Sequence, residues 1–290
     1  MPSAFPKVLL SVTSIPRRFD SSLREVVSRL QETREKVVIC LPRLYKKWGY
    51  ASPPDYLNNY SNIVLFEPSA DYGPATKLLG AIEYISGLKE QFDAIVTFDD
   101  DLYYNDFPAV ITYLKRQSLQ RPGCVITIGG LKLEHFPYRW KNGVYGNNVG
   151  YVDAVAGFRG VYYPVNKIVH DRRIFDFASE LPGAIFNDDD AYFGIGLSRM
   201  EVPIFAVKPP KRAGDRFAVK LVPTQSAGGS AVQERAANDR NENTMKIFQF
   251  AISKGWLPSR LARANPHSPF RKLLNRTIIG RKLLGWHFNW

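Results

Sequence analysis

Cysteine is scarce in this chain: its 290 residues hold two, Cys40 and Cys124, and they stand at neither metal-ligand nor redox spacing. A disulfide framework, a thiolate zinc site and a CxxC redox centre have no support. Both thiols lie inside apolar runs, VVICL and GCVITI, and read as small buried hydrophobes, for which a reducing compartment is the simplest setting. The four histidines, His135, His170, His267 and His287, are scattered, which argues against histidine-ligated zinc and a His-based nucleophilic triad. No GxxxxGK[ST] loop occurs. No apolar stretch approaches the roughly eighteen residues of a spanning helix, and the opening MPSAFPKVLLSVTSIPRR has too short an apolar run for a signal-peptide core and no cleavage pattern. Acidic residues are missing altogether from Asn243 to Trp290, where Lys246, Lys254, Arg260, Arg263, Arg271, Lys272, Arg276, Arg281 and Lys282 supply positive charge.

What is present is ordinary globular material, 45% apolar and 13% aromatic, at a length that buries a sizeable core. Disorder as the main state is excluded. The formal charge of +12 points to an anionic partner such as nucleic acid, a membrane surface or a phosphorylated substrate. Much of that excess sits in the last segment, where Phe270, Leu273, Leu274 and Ile278, then Ile279, Leu283, Leu284 and Trp286, interleave with cations as in a basic amphipathic helix.

Apolar runs at residues 7–12, 36–41, 63–66, 94–98, 125–128, 152–155 and 203–207 read as strands, mostly continuous in hydrophobicity and so buried on both faces. Helical spacing recurs between them. Asp20-Ser21-Ser22 is expected to cap a helix carrying Leu23, Val26, Val27 and Leu30, while residues 76–88 and about 189–200 make further helices. Strands alternating with helices predict an α/β sheet covered on both faces. Residues 208–243, poor in apolar content, read as a mobile loop with a helix starting near its end. The division expected is a catalytic domain over 1–245 and a basic amphipathic segment over 246–290.

Three places carry candidate chemistry. Asp99-Asp100-Asp101 follows an apolar strand directly, and ligands of α/β sheets bind beyond the carboxyl ends of strands. Adjacent carboxylates repel, so either the turn is solvated or it holds a divalent cation, Mg²⁺ or Mn²⁺, with phosphate oxygens completing the shell. Asn187-Asp188-Asp189-Asp190 opens a helical stretch. One aspartate suffices to cap a helix, and a further carboxylate fixed there is placed to act as a general base or to orient an acceptor hydroxyl. In Tyr72-Gly73-Pro74-Ala75-Thr76-Lys77 a turn gives way to helix-start amides; Lys77 there either reaches a phosphate or sugar hydroxyl or is simply solvated. Gly157-Phe158-Arg159-Gly160 is either a tight turn or a place of close backbone approach to a ligand.

With these motifs in order, SVTSIPRRF, DYGPATKLLGAIE, IVTFDDDLYY, VDAVAGFRGVYY and NDDDAYFGIGL, the chain resembles a GT-A-type glycosyltransferase. It is similar to the family 2 group of bacterial polysaccharide-building enzymes over about residues 7–250. The resemblance implies a Rossmann-like nucleotide-diphospho-sugar transferase fold, with a mainly parallel central sheet and helices on both faces. It implies that Thr13, Ser14, Ile15 and Arg17 line the nucleotide pocket, with Asp100 beside it. Asp99 and Asp101 form the DxD pair for Mn²⁺ or Mg²⁺, Asp101 binding the metal directly and Asp99 the donor ribose or the metal shell. Lys77 and Arg159 lie near the donor diphosphate or sugar. Asp189, with Asp188 and Asp190 as competitors, fills the place of the base. The loop from Lys208 to Asn243, with Lys211, Arg212, Arg216, Arg235 and Arg240, resembles the lid that closes over donor phosphates. The implied reaction moves a sugar from a nucleotide-diphosphate donor to a hydroxyl of a glycan or lipid-linked glycan, cytoplasmic and peripheral at the inner membrane face, with the basic segment at the lipid.

Other classes compete on the same residues. A nucleic-acid-binding protein fits the basic tail and its aromatics, yet acidic triads at strand and helix ends repel a phosphate backbone. A nucleotidyltransferase wants a Gly-rich cationic loop after the first strand, and SIPRR has the cations without the glycine. An aspartyl phosphatase wants Thr or Val two places after the second Asp of its DxD, where Tyr103 stands.

Overall fold

A computed structural model describes residues 5–132, 149–171, 188–209 and 214–222, and towards the C-terminus 246–247, 250–251, 253–254 and 256. Its centre is an eight-stranded sheet. The strands are β1 Val8–Thr13, β2 Lys36–Cys40, β3 Ile63–Phe66, β4 Ala94–Thr97, β5 Val125–Ile128, β6 Gly150–Val152, β7 Val161–Pro164 and β8 Ile204–Val207, in the order β6-β8-β5-β7-β4-β1-β2-β3. Neighbours β4-β1-β2-β3 and β5-β8 pair in parallel. β7 runs against β4 and β5, and β6 against β8, so the sheet is mainly parallel, as expected.

Side-chain alternation explains why the strands read as unbroken apolar runs. In β1, Leu9 faces one core with Val38 and Cys40 of β2; Val8, Leu10 and Val12 face the other with Val37 and Ile39. Both faces are buried, because helices cover each. α2 (Thr76–Ser86) and α4 (Asp189–Arg199) lie over the first face, α1 (Arg24–Leu30) and α3 (Phe107–Gln120) over the second. Ile247 and Ala251 are fully buried in the first core, so packing continues past residue 245. Cys40 and Cys124 are buried and outside any disulfide, and burial pushes the Cys40 thiol up to about 12, keeping it protonated and inert. Among the described residues no helix is long and apolar enough to cross a membrane.

Three local expectations need correction. Asp20-Ser21-Ser22 does not cap a helix: Phe19–Leu23 is already wound as a π-turn running into α1 with no side-chain cap, and Asp20 pairs with Arg24 at 3.2 Å instead. The strand expected over 152–155 breaks at Asp153, since β6 pairs with β8 while Ala154–Val155 pairs with Gly130–Leu131. The expected loop after Lys208 contains a 3-10 turn, Gly214–Phe217, and a strand, Val219–Leu221. That strand lies antiparallel to Leu102–Tyr104, and Val222 N–H donates to the Asp101 carbonyl at 2.9 Å, so these residues are tied to the chain just after the first acidic cluster.

One turn shows how closely the sheet packs near that cluster. Gly160 has φ +82°, and a Cβ built on it meets Phe98 Cε1 at 2.6 Å. Gly160→Ala combines left-handed strain with an overpacked ring, and is expected to cost about 2 kcal/mol of stability in denaturant titration.

Candidate active site

The site forms at the carboxyl ends of β1 and β4, where the parallel strands bring two loops side by side. β1 empties through Ser14 and Ile15 into the 3-10 turn Pro16–Arg18, which Pro16 starts by supplying the required φ. β4 empties into Asp99-Asp100-Asp101. Arg18 crosses between them, its Nη1 2.6 Å from Asp100 Oδ1 and its Nη2 3.1 Å from Asp101 Oδ2. Ser14 Oγ donates to Asp100 Oδ2. Burial opposes the charge on Arg18, but Asp100 and Asp101 outweigh it and hold the guanidinium above its ordinary value.

The second acidic cluster arrives from the start of α4, and its three aspartates divide their work. Asp188 is the N-cap, accepting from Ala191 N–H at 3.1 Å. Asp190 is buried and accepts from Gly157 N–H at 2.8 Å, where a Cβ on Gly157 meets Asp190 Oδ1 at 2.6 Å. Asp189 turns to Lys77, its Oδ2 2.8 Å from Nζ as an ion pair off the hydrogen-bond direction. Asn187 lies outside the described residues.

Lys77 joins the two clusters. Its side chain is 4% exposed, and Nζ lies 2.5 Å from Asp99 Oδ1 as well as beside Asp189. Burial works against the charge, but Asp189, Asp99 and Asp190 more than offset it and hold the ammonium well above its ordinary value. The solvated lysine weighed from the sequence is thus ruled out: Lys77 is a buried cation between carboxylates from two distant parts of the chain.

The other expected residues take simpler places. Thr13 Oγ1 donates to the Cys40 carbonyl at 2.8 Å, bracing β1 on β2. Ile15 precedes the 3-10 turn. Arg17 lies over the exposed Trp48 ring at 4.9 Å. Arg159 packs over Phe158 at 4.9 Å, and its carbonyl accepts from Tyr104 O–H at 2.6 Å. Arg216 pairs with Asp106, the cap of α3, at 2.6 Å; Lys211, Arg212, Arg235 and Arg240 lie outside the described residues, as do His135, His267 and His287.

Two contributors were not singled out from the sequence. Arg18, rather than its neighbour Arg17, pairs with the acidic turn, and side-by-side arginines give no sequence signal to choose between them. Asp71, buried, accepts from Gly73 N–H at 2.8 Å and Lys46 N–H at 2.9 Å, fixing the turn that delivers Lys77; an aspartate two residues before glycine is the local signal for such a turn.

The charge arithmetic bears on a metal. Asp99, Asp100, Asp101, Asp189 and Asp190 share two cations, Arg18 and Lys77, a surplus of three negative charges. Burial, then Asp100 and Asp99, push Asp101 up to about 7, which is where the surplus shows. Asp99 and Asp101 keep side-chain exposures of 27% and 22%. Among the described residues no group of three or more His, Cys, Asp or Glu side chains is placed to hold a metal ion. What Asp99 and Asp101 suit, as partly exposed all-oxygen donors, is a divalent cation held by one or two carboxylates with its remaining ligands brought by a substrate, the habit of Mg²⁺ and Mn²⁺.

The sequence matches no protein-family model and no curated protein. Solved structures that overlap the chain include residues 1–349 of TarS from S. aureus, 11% identical, covering 70% of this chain with a TM-score of 0.44; this chain spans 58% of that structure's length. They also include the galactosyltransferase LgtC in complex with donor and acceptor sugar analogues, 11% identical over 82% of this chain and 95% of that one, TM-score 0.43. A third is CMP:2-keto-3-deoxy-manno-octonic acid synthetase complexed with CTP, 10% identical over 70% of this chain and 90% of that one, TM-score 0.40.

Proposed function

We propose that this chain is a GT-A-type glycosyltransferase, moving a sugar from a nucleotide-diphosphate donor to a hydroxyl of a glycan or lipid-linked glycan. One observation carries the reading. A carboxylate from a strand end, Asp99, and one from a helix start about ninety residues later, Asp189, meet at the buried Lys77 at the carboxyl edge of a mainly parallel sheet. A solvated acidic turn and a capped helix, the plain explanations of each motif, leave that convergence unexplained.

In this reading Asp99 and Asp101 hold Mn²⁺ or Mg²⁺, with Asp100 fixed behind them by Ser14 and Arg18. A divalent cation there supplies Lewis-acid stabilisation to the departing diphosphate. Thr13, Ser14, Ile15 and Arg17 border the nucleotide, and Arg159 lies towards the sugar. The acceptor oxygen bonds to the anomeric carbon as the bond from that carbon to the diphosphate oxygen breaks. The hydroxyl proton passes to Asp189, which the ion pair with Lys77 holds in place. The cationic segment beyond residue 256 makes the peripheral membrane contact, where each Lys or Arg near anionic lipid contributes about 1 kcal/mol.

Calorimetry with UDP, GDP, dTDP and CMP, each with and without Mn²⁺, tests the donor site. One nucleotide is expected to bind only with metal, and Asp101→Asn to abolish that binding while the fold persists by circular dichroism. Absence of nucleotide binding to the folded wild type under all conditions removes the reading. For the membrane contact, removing residues 258–290 is expected to shift the protein from the pelleted to the soluble fraction with anionic vesicles; unchanged partitioning refutes it.

A further inference from the structure

The loop after β2 forms a small hairpin, Leu44–Tyr45 against Gly49–Tyr50, whose composition differs from the surface around it. Leu44, Trp48 and Tyr50 are 53%, 44% and 78% exposed, three large apolar side chains within seven residues. Arg43, Lys46 and Lys47 are exposed beside them, and no acidic residue occurs between Glu35 and Asp55. Isolated exposed apolar residues call for no explanation, but a cluster interleaved with one sign of charge does.

The hairpin is also fastened to the site. Tyr45 is buried and its O–H donates to the Ser14 carbonyl at 3.2 Å, the same serine whose hydroxyl holds Asp100. Asp71 accepts from Lys46 N–H while fixing the turn that leads to Lys77. Trp48 stacks under Arg17. A platform is thereby held beside the acidic centre, with Tyr50 and the cations Arg43 and Lys47 exposed on it.

We infer that the Arg43–Tyr50 hairpin is the docking surface for an anionic glycan, the acceptor of the transfer proposed above, on which this inference rests. Aromatic rings lie against the C–H faces of sugar rings and keep their polar edges wet. Arg43 and Lys47 pair with carboxylate or phosphate groups on the glycan. Charge complementarity selects this occupant: a neutral glycan needs no cations there, and the fastening to Ser14 and Asp71 ties the platform to the reacting centre rather than to a distant surface.

Binding of oligogalacturonate and of a phosphodiester-linked oligosaccharide to the full chain, measured by calorimetry, tests this. At least one is expected to bind, to weaken with salt, and to bind about tenfold better than neutral methyl-esterified oligogalacturonate. The triple variant Arg43→Ser, Lys47→Ser, Tyr50→Ala is expected to lose about tenfold in that affinity with its circular dichroism unchanged. Binding of neither glycan, equal binding of the neutral ester, an unaffected variant, or preference for phosphatidylglycerol vesicles or single-stranded DNA overturns the inference. Nucleotide binding measured on the same wild-type protein separates the two claims: its failure removes the transferase reading, whereas its success with no glycan binding removes only the role of the hairpin.

Discussion

Lys77→Met is expected to destabilise the fold by about 3 kcal/mol, the cost of leaving buried carboxylates without their cation. The methionine fills nearly the same volume, so a cavity contributes little, and the loss reports charge. Asp99 and Asp189 lose their shared partner at once, and Asp190, packed behind them, loses the cation that offsets it. Their side-chain exposures of 27% and 14% let water recover part of the lost interaction, which places the effect at the lower end of the range for a broken buried pair. Urea titration checks the magnitude. A double-mutant cycle checks the cause: adding Asp189→Asn to Lys77→Met is expected to recover about 1 kcal/mol, because the second change removes one of the stranded charges. A loss below about 1 kcal/mol, or no recovery, would mean that Lys77 does not carry the junction of the two clusters.

The same junction marks where the sequence was legible. Continuous apolar runs were easy to place: Ile63–Phe66 and Val125–Ile128 match their expected spans and the runs at 7–12, 36–41, 94–98 and 203–207 differ by about a residue, whereas 152–155 splits between two sheets and Val161–Pro164 was not read as a strand. Capping was less readable, because Asp20, Ser21 and Ser22 suit a helix start and a π-turn alike, and only the burial of Phe19 and Leu23 decides between them. The two acidic motifs were visible as motifs. Their convergence was not, since it depends on β4 lying beside β1 and on α4 packing on the same face as α2, contacts that no local pattern encodes. Hence Lys77, ambiguous in sequence between a phosphate ligand and a solvated side chain, proves to be the buried link, and Arg17 and Arg18 become distinguishable only once the 3-10 turn sets their directions. The hairpin after β2 carried its cations and aromatics in plain view, but its attachment to Ser14 and Asp71 gives them a meaning that composition lacks.

The triplet Asp188-Asp189-Asp190 should separate in kinetics as it does in geometry. Asp189→Asn is expected to lower the rate of sugar transfer by about 10²–10⁴-fold, the usual contribution of a positioned general base, while metal-dependent nucleotide binding stays near the wild-type value. The amide keeps the shape and a carbonyl oxygen towards Lys77, so the substitution removes the proton acceptor with little else. Asp188→Asn is expected to leave both properties nearly unchanged, since asparagine caps a helix as well as aspartate does and its oxygen still accepts from Ala191. Asp190→Asn also retains an acceptor for Gly157 N–H, but it removes a buried charge facing Lys77, so its expected effect is a change in stability more than in turnover. Measuring turnover, nucleotide affinity and unfolding midpoint on all three variants sorts them. If Asp188→Asn or Asp190→Asn abolished transfer while Asp189→Asn did not, the proton would have to leave by a route that bypasses the Lys77 pair, and the base would be reassigned to the residue whose loss was decisive.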